Sequence, residues 1–350
     1  MGEVFAGRYE LLDPVATGGM GTIWRVHDRD DGEVKAAKIL RQSDAASLLR
    51  FMREQSMRID HTHVVTPLGW AGMDDRVLFT MPLVRGGSVA DLVHERGPLP
   101  VRWVATLTDQ LLQALEAVHG AGIVHRDVKP GNLLLDPHDP AVGDVPHLRL
   151  TDFGIAAPVD QPRMTQASMS FGTPGYMAPE QWHGADPDPR ADLFSVGRVA
   201  LEMLTGERPP ASTEPDLDAL RTGERERDAL LDLVAAATPA DVQRRPESAS
   251  ALRRMLTASG LLDLTQAHDE PTVPDRFSAA PTAGLVRPGP PPSTPPPSAP
   301  PAPPMTRVNT GEGPRPAPTP RGGRPSAVPG VLLLLVGLVA LVVAAFLLLG

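Results

Sequence analysis

The stretch His125-Arg126-Asp127-Val128-Lys129-Pro130-Gly131-Asn132 decides the reading of this chain. Its eight residues hold four ionisable side chains, a proline and an asparagine. A structural turn rarely needs that chemistry, whereas a site carried on a loop does. Upstream, Val104, Leu107, Leu111, Leu112, Leu115 and Val118 recur at near 3.6-residue spacing and end at Gly120, which predicts a helix over 101–120. Downstream, Asp152-Phe153-Gly154 follows the strand-like Leu148 to Thr151, so a second carboxylate stands at a strand end 20 residues past Asn132. Further helix patterns cover Asp192 to Leu204, closing at Gly206, then Arg227 to Ala237 and Ser248 to Leu256.

Toward the N-terminus the pattern changes period. Short apolar runs at Tyr9 to Leu12, Gly21 to His27, Val34 to Leu40, Val64 to Trp70 and Arg76 to Met81 predict a small antiparallel sheet. Ala45 to Ile59 places Leu48, Leu49, Met52 and Met57 at helical spacings. Lys38 projects from a mostly buried strand, where an unpaired ammonium is costly, so it needs an anion. Glu54 and a nucleotide phosphate are both suitable. The loop Ala16-Thr17-Gly18-Gly19-Met20-Gly21 could let backbone N–H groups approach phosphates, although alone it reads equally as a glycine-rich hairpin turn. Asn132 and Asp152 together offer the oxygen donors that suit Mg²⁺.

Taken in order, these landmarks resemble those of the eukaryotic-type protein kinase family over roughly Tyr9 to Leu256. Gly18-Gly19-Met20-Gly21 and Gly172-Thr173-Pro174-Gly175-Tyr176-Met177-Ala178-Pro179-Glu180 are similar to its bacterial serine/threonine members, many of them membrane-anchored. The resemblance implies an α+β, bilobal kinase fold. A small antiparallel sheet lobe with one helix would span about residues 9–81, and a larger, mainly helical lobe about 85–257. It also implies ATP-dependent phosphorylation of serine and threonine hydroxyls on protein substrates. Asp127 would accept the substrate proton, and Lys129 matches the serine/threonine-specific form of the loop. Lys38 would hold the α/β-phosphates and pair with Glu54, while Asn132 and Asp152 would ligate Mg²⁺ or Mn²⁺.

Val15, Ile23, Ala36 and Leu134 match the adenine pocket, residues 16–21 (Ala16, Thr17, Gly18, Gly19, Met20, Gly21) the phosphate loop, and Pro82 to Val84 the hinge behind Met81. Glu180 and Arg245 match a buried ion pair, Asp192 a brace for the catalytic loop, and Thr173 part of the substrate pocket. Arg126 before the catalytic aspartate matches kinases switched by activation-loop phosphorylation, with Thr165, then Ser168 and Ser170, as the sites. Two features depart from the family pattern: Ala16 replaces the first loop glycine, and the loop from Asp136 to His147 is long.

The rest of the 350 residues is not globular in composition. Half of the 40 prolines fall between Pro271 and Pro329, so residues 258–328 read as a Pro-rich, disordered juxtamembrane linker. Val331 to Leu349 is a charge-free run of 19 residues, as a helix roughly 28 Å long, and reads as a transmembrane helix. Arg315, Arg321 and Arg324 before it place the kinase domain on the cytoplasmic side of a single-pass membrane protein, with essentially no extracytoplasmic domain. The first residues carry no signal-peptide pattern.

The absence of cysteine rules out thiol chemistry and disulfides, and a net charge of −9 without a basic cluster argues against nucleic acid as a partner. The expected partners are ATP, protein substrates, the bilayer and a second copy of the chain, because a single span suggests activation by dimerisation. Two rivals stand beside this reading: a pseudokinase scaffold, and a membrane-tethered protein whose Pro-x-x-Pro segments recruit groove-binding domains.

Overall fold

The structure, a computed structural model, describes residues 3–18, 21–41, 59–138, 145–152, 157–158, 173–210, 215–264 and 271–278. The helix expected over 45–59, with Glu54, lies outside them except for its last residue Ile59, which is buried but not helical; the loop residues Gly19 and Met20, the sites Thr165, Ser168 and Ser170, and the apolar run 331–349 also lie outside them.

Six strands form one antiparallel sheet: β1 (Val4–Phe5), β2 (Tyr9–Gly18), β3 (Gly21–Asp28), β4 (Val34–Arg41), β5 (Gly69–Met73) and β6 (Arg76–Met81), in the order β1-β2-β3-β4-β6-β5. Because strand side chains alternate, β4 sends Ala37 and Ile39 to one face and Ala36, Lys38 and Leu40 to the other. The first face joins Phe5, Tyr9, Leu11, Val26 and Leu78 in a small core of its own. On the second, Leu40, Val77 and Phe79 belong to the large core shared with the helical half. Lys38 therefore emerges toward that half by period alone.

Four of the five expected strands match. The fifth, placed at Val64 to Trp70, differs: Val64 makes only an isolated parallel bridge to Leu150, and the strand starts at Gly69. Its register is set by the tight turn at Asp74, which has φ of +55°, and by pairing with β6, not by its own weak apolar pattern.

The helical half is built on α1 (Val89–Arg96), α2 (Val101–Gly120), α3 (Pro179–Trp182), α4 (Pro189–Thr205), α5 (Arg225–Ala237) and α6 (Ala249–Ala258). In α2 the predicted stripe is fully buried, with Trp103 added to it, and packs on α4 and α6. Local chemistry fixes the ends. The side chains of Ser88 and Asp91 cap α1 reciprocally, Asp188 and Pro189 open α4, and Gly206 closes it at φ of +74°. Short strands β7 (Ile123–Val124), β8 (Leu133–Leu135), β9 (Leu148–Leu150) and β10 (Ala157–Pro158) follow, β8 pairing with β9 and β7 with β10.

Two pieces of the expected linker are packed. Leu261 is buried in the main core, and so is Val273, whose backbone exchanges hydrogen bonds with His138 at 2.7 and 3.0 Å. Proline-rich composition around 271–278 hides this, because a single side chain, Val273, supplies the burial.

His63 sits where the segment before β5 meets β9. Its Nδ1 lies 2.8 Å from the carbonyl oxygen of Leu148, and its ring stacks on His147 at 4.3 Å. Burial, opposed by that carbonyl and aided by His147 and His61, pushes the imidazole down to about 4. Between about pH 6.5 and 4 the unfolded chain binds a proton that the folded state refuses, so stability falls as pH drops through that window. Between pH 7 and pH 5 this group is expected to cost about 2 kcal/mol. Urea unfolding at both values should show that loss in the parent and most of it gone in His63→Gln; equal pH dependence in the two proteins would refute the assignment.

Candidate active site

The loop from His125 to Asn132 hangs from α4 by one carboxylate. Asp192, with no exposed surface, accepts the backbone N–H groups of His125 and Arg126, both at 2.8 Å, and lies 2.8 Å from His119 Nε2 at the end of α2. Burial pushes this carboxyl up, but the contact with His119 and the two N–H donors outweigh it and hold it below the usual carboxylate range. The loop needs such a hold, since Arg126 sits in the left-handed region with φ of +68°. Asp192→Asn turns one acceptor into a donor that faces a backbone N–H. The loop should then shift, and the phosphotransfer that the sequence resemblance implies should fall by about a hundredfold with the protein still folded; a loss under fivefold would count against the bracing role.

Asp127 is 8% exposed and is held on one side only. Lys129 Nζ donates to its Oδ2 at 2.6 Å and Asn132 Nδ2 to the same oxygen at 3.0 Å. Asn132 also donates to the Asp127 carbonyl at 2.8 Å. Among the described residues Oδ1 is thus the oxygen left to take a proton from an incoming hydroxyl. The amide nitrogen of Asn132 is spent on Asp127, so its oxygen is the atom that can meet a cation.

Lys38, 6% exposed, meets a carboxylate 114 residues away: its Nζ lies 2.7 and 2.9 Å from the two oxygens of Asp152. Burial raises the Asp152 carboxyl, but the Lys38 ammonium more than offsets this and keeps it below its ordinary value, hence ionised. Asp152 also has a positive φ of +69°. The step from β9 to this residue is tied to the loop, because Thr151 N–H donates to the Asn132 carbonyl at 2.9 Å and His125 Nε2 lies 3.1 Å from the Thr151 carbonyl. Asn132 and Asp152 form an all-oxygen donor pair beside a lysine, which fits a hard divalent cation and phosphate.

The residues matched to the adenine pocket flank the segment between the two halves. Ala36, buried, pairs with Met81 at the end of β6, and Leu134 bridges to Ser88 just past Pro82 to Val84. Ile23 lies across from Ala16, while Val15, at an irregularity in the β2–β3 pairing, is 40% exposed.

On the far side of the loop, Thr173 to Ala178 is clamped onto α4. Arg198 Nε donates to the Gly175 carbonyl at 2.7 Å, Ser195 Oγ to the Tyr176 carbonyl at 2.8 Å, and the Tyr176 hydroxyl to buried Glu202. Arg245, buried, makes a bidentate pair with Glu180 at 2.6 and 2.8 Å and packs its guanidinium over Phe194. Sequence reading missed His119, Ser195, Arg198 and Glu202. Each lies on the inward face of a predicted helix, and no local signal separates such groups from ordinary core polar residues.

A sheet lobe and a helical lobe joined at such a site define a protein kinase domain. A family model so described matches residues 9–263, and the chain belongs to that family, which uses ATP with a divalent cation. Among similar proteins, serine/threonine-protein kinase PknA of Mycobacterium tuberculosis is 36% identical over 219 residues, 60% of this chain and 49% of that one. PkaA of Streptomyces coelicolor is 35% identical over 229 residues, 61% of this chain and 41% of PkaA. The kinase pkn3 of Myxococcus xanthus is 32% identical over 286 residues, 74% of this chain and 51% of pkn3. The chain thus spans about half, or less, of the length of these curated relatives.

Proposed function

We propose that the chain transfers the γ-phosphoryl group of ATP to serine and threonine hydroxyls of protein substrates. The observation that carries this reading is Asp127, with Lys129 and Asn132 on its Oδ2, on the same loop to which Thr151 ties the Lys38–Asp152 pair. The names of the relatives and Lys129, two residues past Asp127, support serine and threonine as acceptors.

As the substrate oxygen bonds to the γ-phosphorus, Asp127 Oδ1 takes the hydroxyl proton, and the bond to the β,γ-bridging oxygen breaks to release ADP. Lys129 neutralises the carboxylate's other oxygen, and Lys38 would hold the α/β-phosphates, with Glu54 as its expected alternative partner. A divalent cation at Asn132 and Asp152, Mg²⁺ first and Mn²⁺ second, would spread the phosphate charge. Residues 16–21 would cover the phosphates, and Val15, Ile23, Ala36, Pro82, Val84 and Leu134 would hold adenine. The test is transfer from radiolabelled ATP with Mg²⁺ to a generic acceptor protein, followed by phosphoamino-acid analysis. Label on serine or threonine is expected; nucleotide binding without any transfer would sink the reading.

The same reading extends to regulation. Arg126 is half-buried, burial lowers its pKa, and among the described residues no carboxylate lies within ion-pair distance of it. A phosphate on Thr165, Ser168 or Ser170 would supply the missing anion, so autophosphorylation there should raise activity, as mapping of the label checks.

Residues 331–349 would tether the enzyme to a membrane with the kinase domain cytoplasmic, and the single span favours activation by self-association. Among the described residues no helix is long and apolar enough to cross a membrane. Deleting 331–349 should move the protein from the membrane fraction to the supernatant, and activity in vesicles should rise with surface density. An unchanged distribution, or no density dependence, would refute the respective claim.

A further inference from the structure

The segment Thr272 to Phe277 runs back across the hinge instead of leaving the helical lobe at its end. Val273, 2% exposed, bridges to His138 just after β8. Asp275 pairs with Arg85 at 2.9 Å. Arg276 makes three contacts: its N–H to the Arg85 carbonyl at 2.9 Å, its Nε to the Gly86 carbonyl at 3.2 Å, and its Nη2 to Glu95 of α1 at 2.7 Å. Phe277 lies under the guanidinium of Arg25 in β3 at 5.0 Å, and Arg25 is itself held by Asp13 of β2. One short strap thus touches the sheet lobe, the hinge and the helical lobe.

The kinase body is cut to receive it. A Cβ at Gly86 would stand 2.6 Å from Val273 Cγ1 and 2.5 Å from the Leu135 carbonyl, and one at Gly87 only 2.4 Å from Arg276 Nε. The two glycines are therefore the floor of a seat for the strap, beyond serving the turn at Gly87, whose φ is +84°. Gly86 N–H in turn donates to Leu135 and Leu135 N–H to Gly87, at 2.8 and 2.9 Å, which couples the seat to β8 and so to Leu134.

We propose that this strap sets the geometry of the adenine-facing hinge, with Arg276 and Phe277 as positioning residues for nucleotide. The inference rests on the kinase reading of the cleft. Without the strap, the backbone from Pro82 to Gly87 keeps its sequence but loses its outer support, and the ordering cost falls on nucleotide binding. The predicted signature is a KM and Kd effect with little change in kcat.

The experiment uses the full chain carrying Arg276→Ala or Phe277→Ala, with folding followed by circular dichroism. The Kd of a fluorescent ATP analogue with Mg²⁺ and the KM for ATP should rise about three- to tenfold in both, roughly what one net hydrogen bond contributes for Arg276 and one cation–π contact for Phe277, while kcat changes by less than about twofold. Amide hydrogen exchange at Gly86 and Leu135 should quicken in the same variants. Arg276→Lys, which can keep the charge pair with Glu95, should recover part of the affinity. Unchanged exchange overturns the seat. Faster exchange with Kd within twofold of the parent also overturns the proposal, since the strap would then brace the fold without setting the site. A parent that binds no nucleotide fails before any substitution is made, and that outcome refutes the kinase reading instead.

Discussion

Asp127→Asn is expected to lower kcat by about a hundred- to ten-thousandfold while the Kd for ATP stays within about twofold. The substitution keeps the size of the side chain, and the Asn132 contact to the residue 127 carbonyl at 2.8 Å does not depend on it. On the proposed mechanism it removes the base: an amide oxygen cannot take the hydroxyl proton, and Lys129, which lies 2.6 Å from the Asp127 carboxylate, loses its counter-charge. Because Lys38 and Asp152 lie on other segments, nucleotide affinity should be nearly unaffected. Rapid-quench transfer assays beside nucleotide titrations separate the two quantities. A kcat within tenfold of the parent would mean that Asp127 is not the acceptor, and a matching collapse of affinity would mean that it holds the fold of the site instead.

Arg245→Ala is expected to cost about 3–5 kcal/mol of stability, read by urea unfolding followed through tryptophan fluorescence. Its guanidinium is buried and meets Glu180 bidentately, and it also donates to the Pro239 carbonyl at 2.8 Å and the Arg190 carbonyl at 3.1 Å. Truncation strands the Glu180 carboxylate, which is only 18% exposed, and leaves those carbonyls without their donor. Much of the penalty is thus that of an unpaired buried charge and not the worth of the pair. Glu180→Leu combined with Arg245→Met should therefore recover a large part of the loss. If the double variant is as unstable as Arg245→Ala, the carbonyl contacts, not the ion pair, dominate.

The parts of this molecule that sequence reading places well are those fixed by local periodicity. Helix α2 follows its apolar stripe from Val104 to Val118 and stops at Gly120, and β4 puts Lys38 on the inward face by alternation alone. The loop from His125 to Asn132 is legible because its chemistry is packed into eight neighbouring residues. What periodicity cannot show is a partner far along the chain. Asp152 as the carboxylate on Lys38 and Asp192 as the hanger of the loop depend on tertiary approach, and β5 takes its register from β6. The strap escaped for another reason: Pro271 and Pro274 give it the composition of the chain that follows, and its receptor glycines look like an ordinary turn.

The strap also decides how a pull on the chain is felt. Tension applied to the chain beyond Ser278 reaches Phe277, Arg276 and Asp275 before it reaches α6. These contacts differ in kind: a cation over a ring, two ion pairs and a backbone bond at 2.9 Å, succeeded by buried Val273. Under load they would peel one after another from the sheet lobe inward, each at a low force, and the lobes would lose their external clasp well before any helix yields.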